Sequence, residues 1–223
     1  MDARELRRNP EQIASLIDHT NVEPDSTEDD IRKLCTEVHE YEFCSAVVVP
    51  YHAELAAALI GDVANVVVVV GFPYGVQNSR AKQLEVEEVI EYVDEVDMVM
   101  NRTAFANGDT DFVREDIAAV KQIVGDKPLK CIIESPVLGE DDIRTAARLA
   151  VDAGADFVKT AVGYDGGCDP REVEAIREVV PDHVGVKASG GIGTFGQAME
   201  MIEGGATRIG ASSSVEIIES IPA

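Results

Sequence analysis

The chain has 223 residues, 45% hydrophobic and only 5% aromatic with no tryptophan. That is enough aliphatic material for one packed domain over residues 1–223, and it is unlike disordered or collagen-like sequence. Against 19 Lys+Arg stand 42 Asp+Glu, a formal charge of −23 that no basic cluster interrupts beyond Arg7 and Arg8; such a field repels phosphate backbones and anionic membrane surfaces, so neither is an expected partner.

In chain order, the N-terminus opens with charges instead of the apolar core of a secretory signal. Residues Asn9–Ser15 predict an added N-terminal helix before a first strand at Leu16–Asp18. Ile31, Leu34, Val38 and Tyr41 then repeat at helical spacing, and strand-like runs follow at Phe43–Val49, Val66–Val70 and Val96–Met100. Val113, Ile117, Val120 and Val124 mark a helix between that last run and Leu129–Ile133. Asp156–Lys159, a helix carrying Val173, Ile176 and Val180, and the runs Val184–Lys187 and Thr207–Ile209 complete the series.

The runs are short, mostly β-branched and bounded by Gly, Pro or polar residues, as buried parallel strands of βα units are. Eight repeats predict a closed (β/α)₈ TIM barrel, an α/β fold, with the extra N-terminal helix. An open doubly wound sheet would carry a glycine-rich dinucleotide loop after its first strand, and Asp18-His19-Thr20-Asn21 is not one.

The longest apolar run falls far short of the ~18 residues that cross a bilayer. Cysteines 35, 44, 131 and 168 form neither a CxxC pair nor a compact framework, so reduced thiols and a cytoplasmic location are expected. Only 7 of the basic residues are lysines and 12 are arginines. A surface rich in carboxylate and poor in ammonium suits concentrated salt, as in a halophilic cytosol; ordinary acidic solubility is the plainer alternative.

In a barrel the reacting groups lie at the C-terminal ends of strands. Lys159 and Lys187 each close an apolar run there. Either alone reads equally well as a structural ion-pair partner. As a pair on neighbouring strands they converge on one mouth, where each ammonium disfavours charge on the other and burial acts in the same direction, leaving a neutral amine to attack a carbonyl. Lys130, one pleat earlier in its strand, reads as a supporting ion-pair residue, and Glu134 as joining it in the network; both read as easily as purely structural. Asp97, a carboxylate inside an apolar strand, is either the ion-pair partner of a neighbouring lysine or the anchor of a proton relay, and Asp18 supports the same network.

Anion-binding loops follow the last two strands. Ser189-Gly190-Gly191-Ile192-Gly193-Thr194 and Gly210-Ala211-Ser212-Ser213-Ser214 let backbone N–H groups and hydroxyls approach a phosphate through Gly190, Gly191, Gly210, Ser212 and Ser213. Thr160 and Gly163, after the sixth strand, and Asp18, at the end of the first, join the substrate-binding set. His19, His39, His52 and His183 form no HxH or HExxH pair, and there is no GxSxG elbow, Walker loop or nicotinamide fingerprint. No metal or cofactor is expected.

Several strings together resemble one family. They are Leu16-Ile17-Asp18-His19-Thr20, Val70-Gly71-Phe72-Pro73, Val96-Asp97-Met98-Val99, Ile132-Ile133-Glu134, Ala153 to Thr160, Gly185 to Ile192, and Ala206-Thr207-Arg208-Ile209-Gly210. Over about residues 12 to 214 the chain resembles 2-deoxyribose-5-phosphate aldolase. The resemblance implies a class I, metal-free aldolase that reversibly cleaves 2-deoxy-D-ribose 5-phosphate to acetaldehyde and D-glyceraldehyde 3-phosphate. It makes Lys159 the Schiff-base lysine, Lys187 the second lysine that lowers its pKa and Asp97 the aspartate that relays protons with water, and it implies a homodimer or homotetramer. The chain departs from the family pattern at Gly193, where an arginine is common, at Asn21-Val22-Glu23-Pro24, at Ser135-Pro136, and at Val47, where many members place a cysteine. Another phosphosugar Schiff-base aldolase and a non-catalytic phosphosugar-binding barrel are the alternatives.

Overall fold

A computed structural model describes residues 3–222. The chain runs α1 (Ala3–Leu6), a 3₁₀ helix (Pro10–Leu16), β1 (Ile17–Asn21), α2 (Glu28–Tyr41), β2 (Ser45–Val48), α3 (Ala53–Ile60), β3 (Asn65–Val70), α4 (Ser79–Val89) and β4 (Glu95–Val99). It continues through α5 (Arg102–Ala106), α6 (Thr110–Val124), β5 (Leu129–Ile132), α7 (Glu140–Asp152), β6 (Phe157–Lys159), α8 (Pro170–Arg177), β7 (Gly185–Ser189), α9 (Phe195–Glu203), β8 (Arg208–Ala211) and α10 (Ser214–Glu219). All strands are parallel and pair in sequence order, and β8 returns to β1 to close the barrel.

Strands form where β-branched residues are buried on both faces: five consecutive valines fill β3, each at most 2% exposed. Helices begin where a side chain can take an orphan N–H. Thr27 and Asp30 make a reciprocal capping box before α2, and Asn78, Asp109 and Thr194 cap α4, α6 and α9. Outward-facing strand residues and inward-facing helix residues form the main apolar layer. Inside the barrel a smaller cluster, Val47, Val67 and Val69, occupies the β2–β3 side.

The predicted N-terminal helix is divided. Pro10 brings no N–H, and the segment is a seven-residue 3₁₀ helix preceded by the four-residue α1. Leu16 belongs to that helix, so the first strand starts at Ile17 and extends through the polar His19, Thr20 and Asn21, which pair with Ala46, Val47 and Val48. Backbone pairing is indifferent to side-chain polarity, which is why an apolar run underestimated it. The last strand likewise extends to Ala211.

α4, α6 and β4 are tied together by a buried charge pair. Lys82 Nζ donates to Asp116 Oδ2 at 2.5 Å and to the Val99 carbonyl at 3.0 Å, with both charged side chains 0% exposed. Lys82→Met leaves the Asp116 carboxylate buried without its partner and is expected to cost about 3–5 kcal/mol, whereas the double variant with Asp116→Leu recovers most of that. Urea unfolding midpoints at fixed salt check this; a double variant no more stable than Lys82→Met contradicts it.

Candidate active site

The barrel interior opposite the valines is ionic. Asp97 on β4 registers with Lys130 on β5, and Lys159 on β6 with Lys187 on β7, so their inward side chains meet on the barrel axis. Asp97 Oδ2 accepts from Lys159 Nζ at 2.8 Å and from Lys187 Nζ at 2.7 Å, while Oδ1 accepts from Lys130 Nζ at 2.9 Å. Lys187 also pairs with Asp18 Oδ2 at 2.5 Å, and Arg208 Nη1 and Ser45 Oγ both donate to Asp18 Oδ1 at 2.7 Å. Glu95 lies below, paired with Lys130 and 3.5 Å from Arg208.

Four cations thus face three carboxylates. Burying an unneutralised charge is costly, so one cation is favoured to release its proton. Lys159 is the weakest-held of the lysines: it has a single carboxylate oxygen, shared with Lys187, where Lys130 and Lys187 each have more than one carboxylate. Burial pulls its ammonium down to about 8, helped by the Lys187 charge and opposed by Asp97. Burial would likewise lower Lys130, yet Asp97, Asp18 and Glu95 together hold it above the ordinary lysine range. Burial would raise both aspartates, but the surrounding cations keep Asp18 and Asp97 ionised, well below the usual carboxylate range.

Lys159 alone of this group reaches a cavity of about 490 Å³ at the strand C-termini. Of the residues marked from sequence, Lys159, Gly163, Gly190, Gly191, Gly210, Ser212 and Ser213 line it. Asp18 and Thr160 do not. Asp18 is 0% exposed among its cations, and the Thr160 hydroxyl is spent on Ser189, accepting its N–H at 2.9 Å and donating to its carbonyl at 3.1 Å. Both are therefore corrected from substrate ligands to supports, Asp18 beneath the lysines and Thr160 between β6 and β7. Lys187 and Asp97, the two groups that meet Lys159, are likewise 0% exposed and do not reach the cavity.

The expected Lys130–Glu134 pair does not form. Lys130 points down to Asp97 and Glu95, whereas Glu134 sits past the end of β5 with φ 58°, where its Oε2 accepts the Val162 N–H at 3.0 Å. Burial raises the Glu134 carboxyl above its ordinary value.

Gly210 has a second duty. A Cβ there would lie 2.8 Å from Lys187 Cε, so its missing side chain makes room for that lysine. Gly190 and Gly191 have φ of +100° and +70°, and a Cβ on either would press on the Gly166–Gly167 loop at 3.1–3.2 Å. Among the described residues no acceptor takes the N–H of Gly190, Gly191, Ser212 or Ser213, whereas Gly193 N–H is engaged by Gln197 Oε1 at 3.0 Å. The cavity therefore joins a nucleophilic amine at its floor to a rim of backbone donors suited to an anion.

Arg208, Glu95 and Ser45 went unmarked as members of the network, and Lys33, His19 and Tyr164 as parts of the wall. Arg208 and Glu95 carried the signal that exposed Asp97, a charge in an apolar strand. Among the described residues no three His, Cys, Asp or Glu side chains gather as metal ligands.

The Lys159 amine should become reactive as pH rises through about 8. In Lys187→Met its midpoint should move up, because a neighbouring positive charge is gone and Asp97 Oδ2 is left to Lys159 alone. The pH dependence of reductive alkylation at Lys159, followed by peptide mass, measures both. An unmoved or lowered midpoint would refute the electrostatic role of Lys187.

A family model for "DeoC/LacD family aldolase" matches residues 12–217. The chain is 46% identical to a deoxyribose-phosphate aldolase of Methanothermobacter thermautotrophicus, over 94% of this chain and 95% of that protein. It is 43% identical to one of Thermococcus kodakarensis, over 96% and 99%. Among solved structures, the tetrameric deoxyribose phosphate aldolase from Aeropyrum pernix superposes with a TM-score of 0.89 at 31% identity, covering 98% of this chain and 94% of that one.

Proposed function

The chain belongs to the DeoC/LacD family of aldolases, and from that membership we propose that it is a deoxyribose-phosphate aldolase working through an imine on Lys159. The observation that carries the reading is the surplus ammonium at the floor of the cavity: Lys159 is the one member of the network that both reaches the cavity and is driven to lose its proton.

The neutral Lys159 amine attacks the C1 aldehyde of open-chain 2-deoxy-D-ribose 5-phosphate, and the carbinolamine loses water to become a protonated imine. Loss of the C3 hydroxyl proton breaks the C2–C3 bond. The electron pair moves into the imine to give an enamine, and C3 leaves as the aldehyde of D-glyceraldehyde 3-phosphate. Protonation of the enamine at C2 and hydrolysis of the imine release acetaldehyde and restore the amine. Asp97, held ionised, orients Lys159 and Lys187 on one oxygen and passes protons between them, while Lys159 exchanges protons with the cavity. The phosphate lies against Gly190, Gly191, Ser212 and Ser213, beside the Gly163 loop.

The 1–223 barrel works as one domain, in a homo-oligomer, in a halophilic cytoplasm. The charge of −23 and the lysine-poor surface support the salt habit, and the tetrameric relative supports assembly.

Borohydride with acetaldehyde should trap a single adduct, on Lys159. Lys159→Arg should lose both adduct and turnover, since a guanidinium stays protonated. Asp97→Asn should slow turnover by roughly 10²–10⁴-fold. Adduct on another lysine overturns the assignment, and turnover with dihydroxyacetone phosphate but not acetaldehyde points to a different phosphosugar aldolase. For the salt habit, activity and melting temperature should both rise in molar KCl; equal values in dilute buffer sink it.

A further inference from the structure

The phosphate rim described above is built of neutral groups. Gly190, Gly191, Ser212 and Ser213 contribute dipoles, and Gly193 contributes no side chain. The wall facing them is acidic, with Glu23, Asp30 and Glu37. A dianion entering there meets repulsion at short range as well as from the whole protein.

One cation offsets this. Among the described residues, apart from Lys159 at the floor, Lys33 is the only lysine or arginine on the cavity wall. Its position is set by a relay of contacts from the phosphate rim: Ala211 on β8 registers with His19 on β1, His19 Nε2 lies 2.9 Å from Glu37 Oε2, and Glu37 Oε1 lies 3.5 Å from Lys33 Nζ one helical turn back along α2. The ammonium therefore lines the cavity from α2, the helix that follows β1, and β1 lies beside β8 and the Ser212–Ser213 loop. Its ion pair is long and its side chain 75% exposed, so most of its donor capacity is free. The other six lysines are committed inside the protein: Lys82, Lys130, Lys159 and Lys187 to buried carboxylates, Lys121 to Asp156 and the Lys127 carbonyl, and Lys127 to the Ile90 and Val93 carbonyls. Burial pushes the His19 pKa down, so His19 adds no charge of its own near neutral pH.

We infer that Lys33 is a specificity residue that supplies the side-chain cation for the substrate phosphate, reaching across the mouth from α2 to a rim that has only neutral donors. The inference rests on the phosphosugar aldolase reading and deepens it. Lys159 takes the aldehyde end of the substrate and Lys33 the phosphate end, so the two lysines on the wall select for a molecule carrying both groups.

The test compares kcat/KM for 2-deoxyribose 5-phosphate and for 2-deoxyribose in wild type, Lys33→Met and Lys33→Arg, in dilute buffer and in molar KCl. In dilute buffer the phosphorylated-to-unphosphorylated ratio should fall about fivefold in Lys33→Met, the upper end of what an exposed ion pair contributes, through KM and not kcat. Lys33→Arg should restore it to within about twofold, and salt should shrink the difference. Inorganic phosphate should inhibit Lys33→Met more weakly by a similar factor. An unchanged ratio, or an equal loss on both substrates, overturns the inference and leaves the aldolase reading standing. A wild-type protein that cleaves neither substrate and traps no acetaldehyde overturns both.

Discussion

The structure depends on a buried network in which positive groups outnumber negative ones. Three lysines and an arginine share Asp18, Asp97 and Glu95 along the barrel axis, all nearly or fully removed from water. Removing each such charge from water costs several kcal/mol even after relaxation, and only close mutual pairing offsets that. The imbalance has one outlet, at the member nearest the opening. Reactivity at Lys159 is thus a property of the group as a whole, with Asp18 and Lys130 contributing from below without touching the cavity.

The opposite side of the interior makes the imbalance matter. Val47, Val67 and Val69 offer the lysines neither acceptors nor water, so the field of each charge is screened less than it would be in a polar barrel. Val47 belongs to this dry wall. Room is made by a small residue: Gly210 admits the Lys187 stem, while Ser45 and Arg208 share Asp18 Oδ1.

The barrel and the charges inside it were legible in the sequence because both leave local signatures: valine-rich runs bounded by turn residues, and charges ending or interrupting them. Lys159, Lys187 and Asp97 stood out on that ground, and the structure brings the three together on one carboxylate oxygen. Pairings were harder to read because they depend on strand register and on the depth at which each side chain lies. Lys130 was assigned to Glu134, its neighbour along the strand, but it faces Asp97 and Glu95 across the barrel. Depth also removed Asp18 and Thr160 from the cavity wall. Lys33 left no signature at all, since a lysine on an amphipathic helix is the commonest thing a sequence can contain; only the barrel's return of β8 to β1 brings its helix beside the last loop.

The contact between Arg208 and Asp18 spans 190 positions of the chain. It joins the last strand to the first, and the ions it completes come from β1, β4, β5, β6, β7 and β8. A chain still emerging from the ribosome holds these groups in water, where a lysine is an ordinary ammonium and harmless to the aldehydes around it. The lowered pKa of Lys159 arises only when the ring shuts, so that side chain stays an ordinary ammonium until it also has the chamber that confines it.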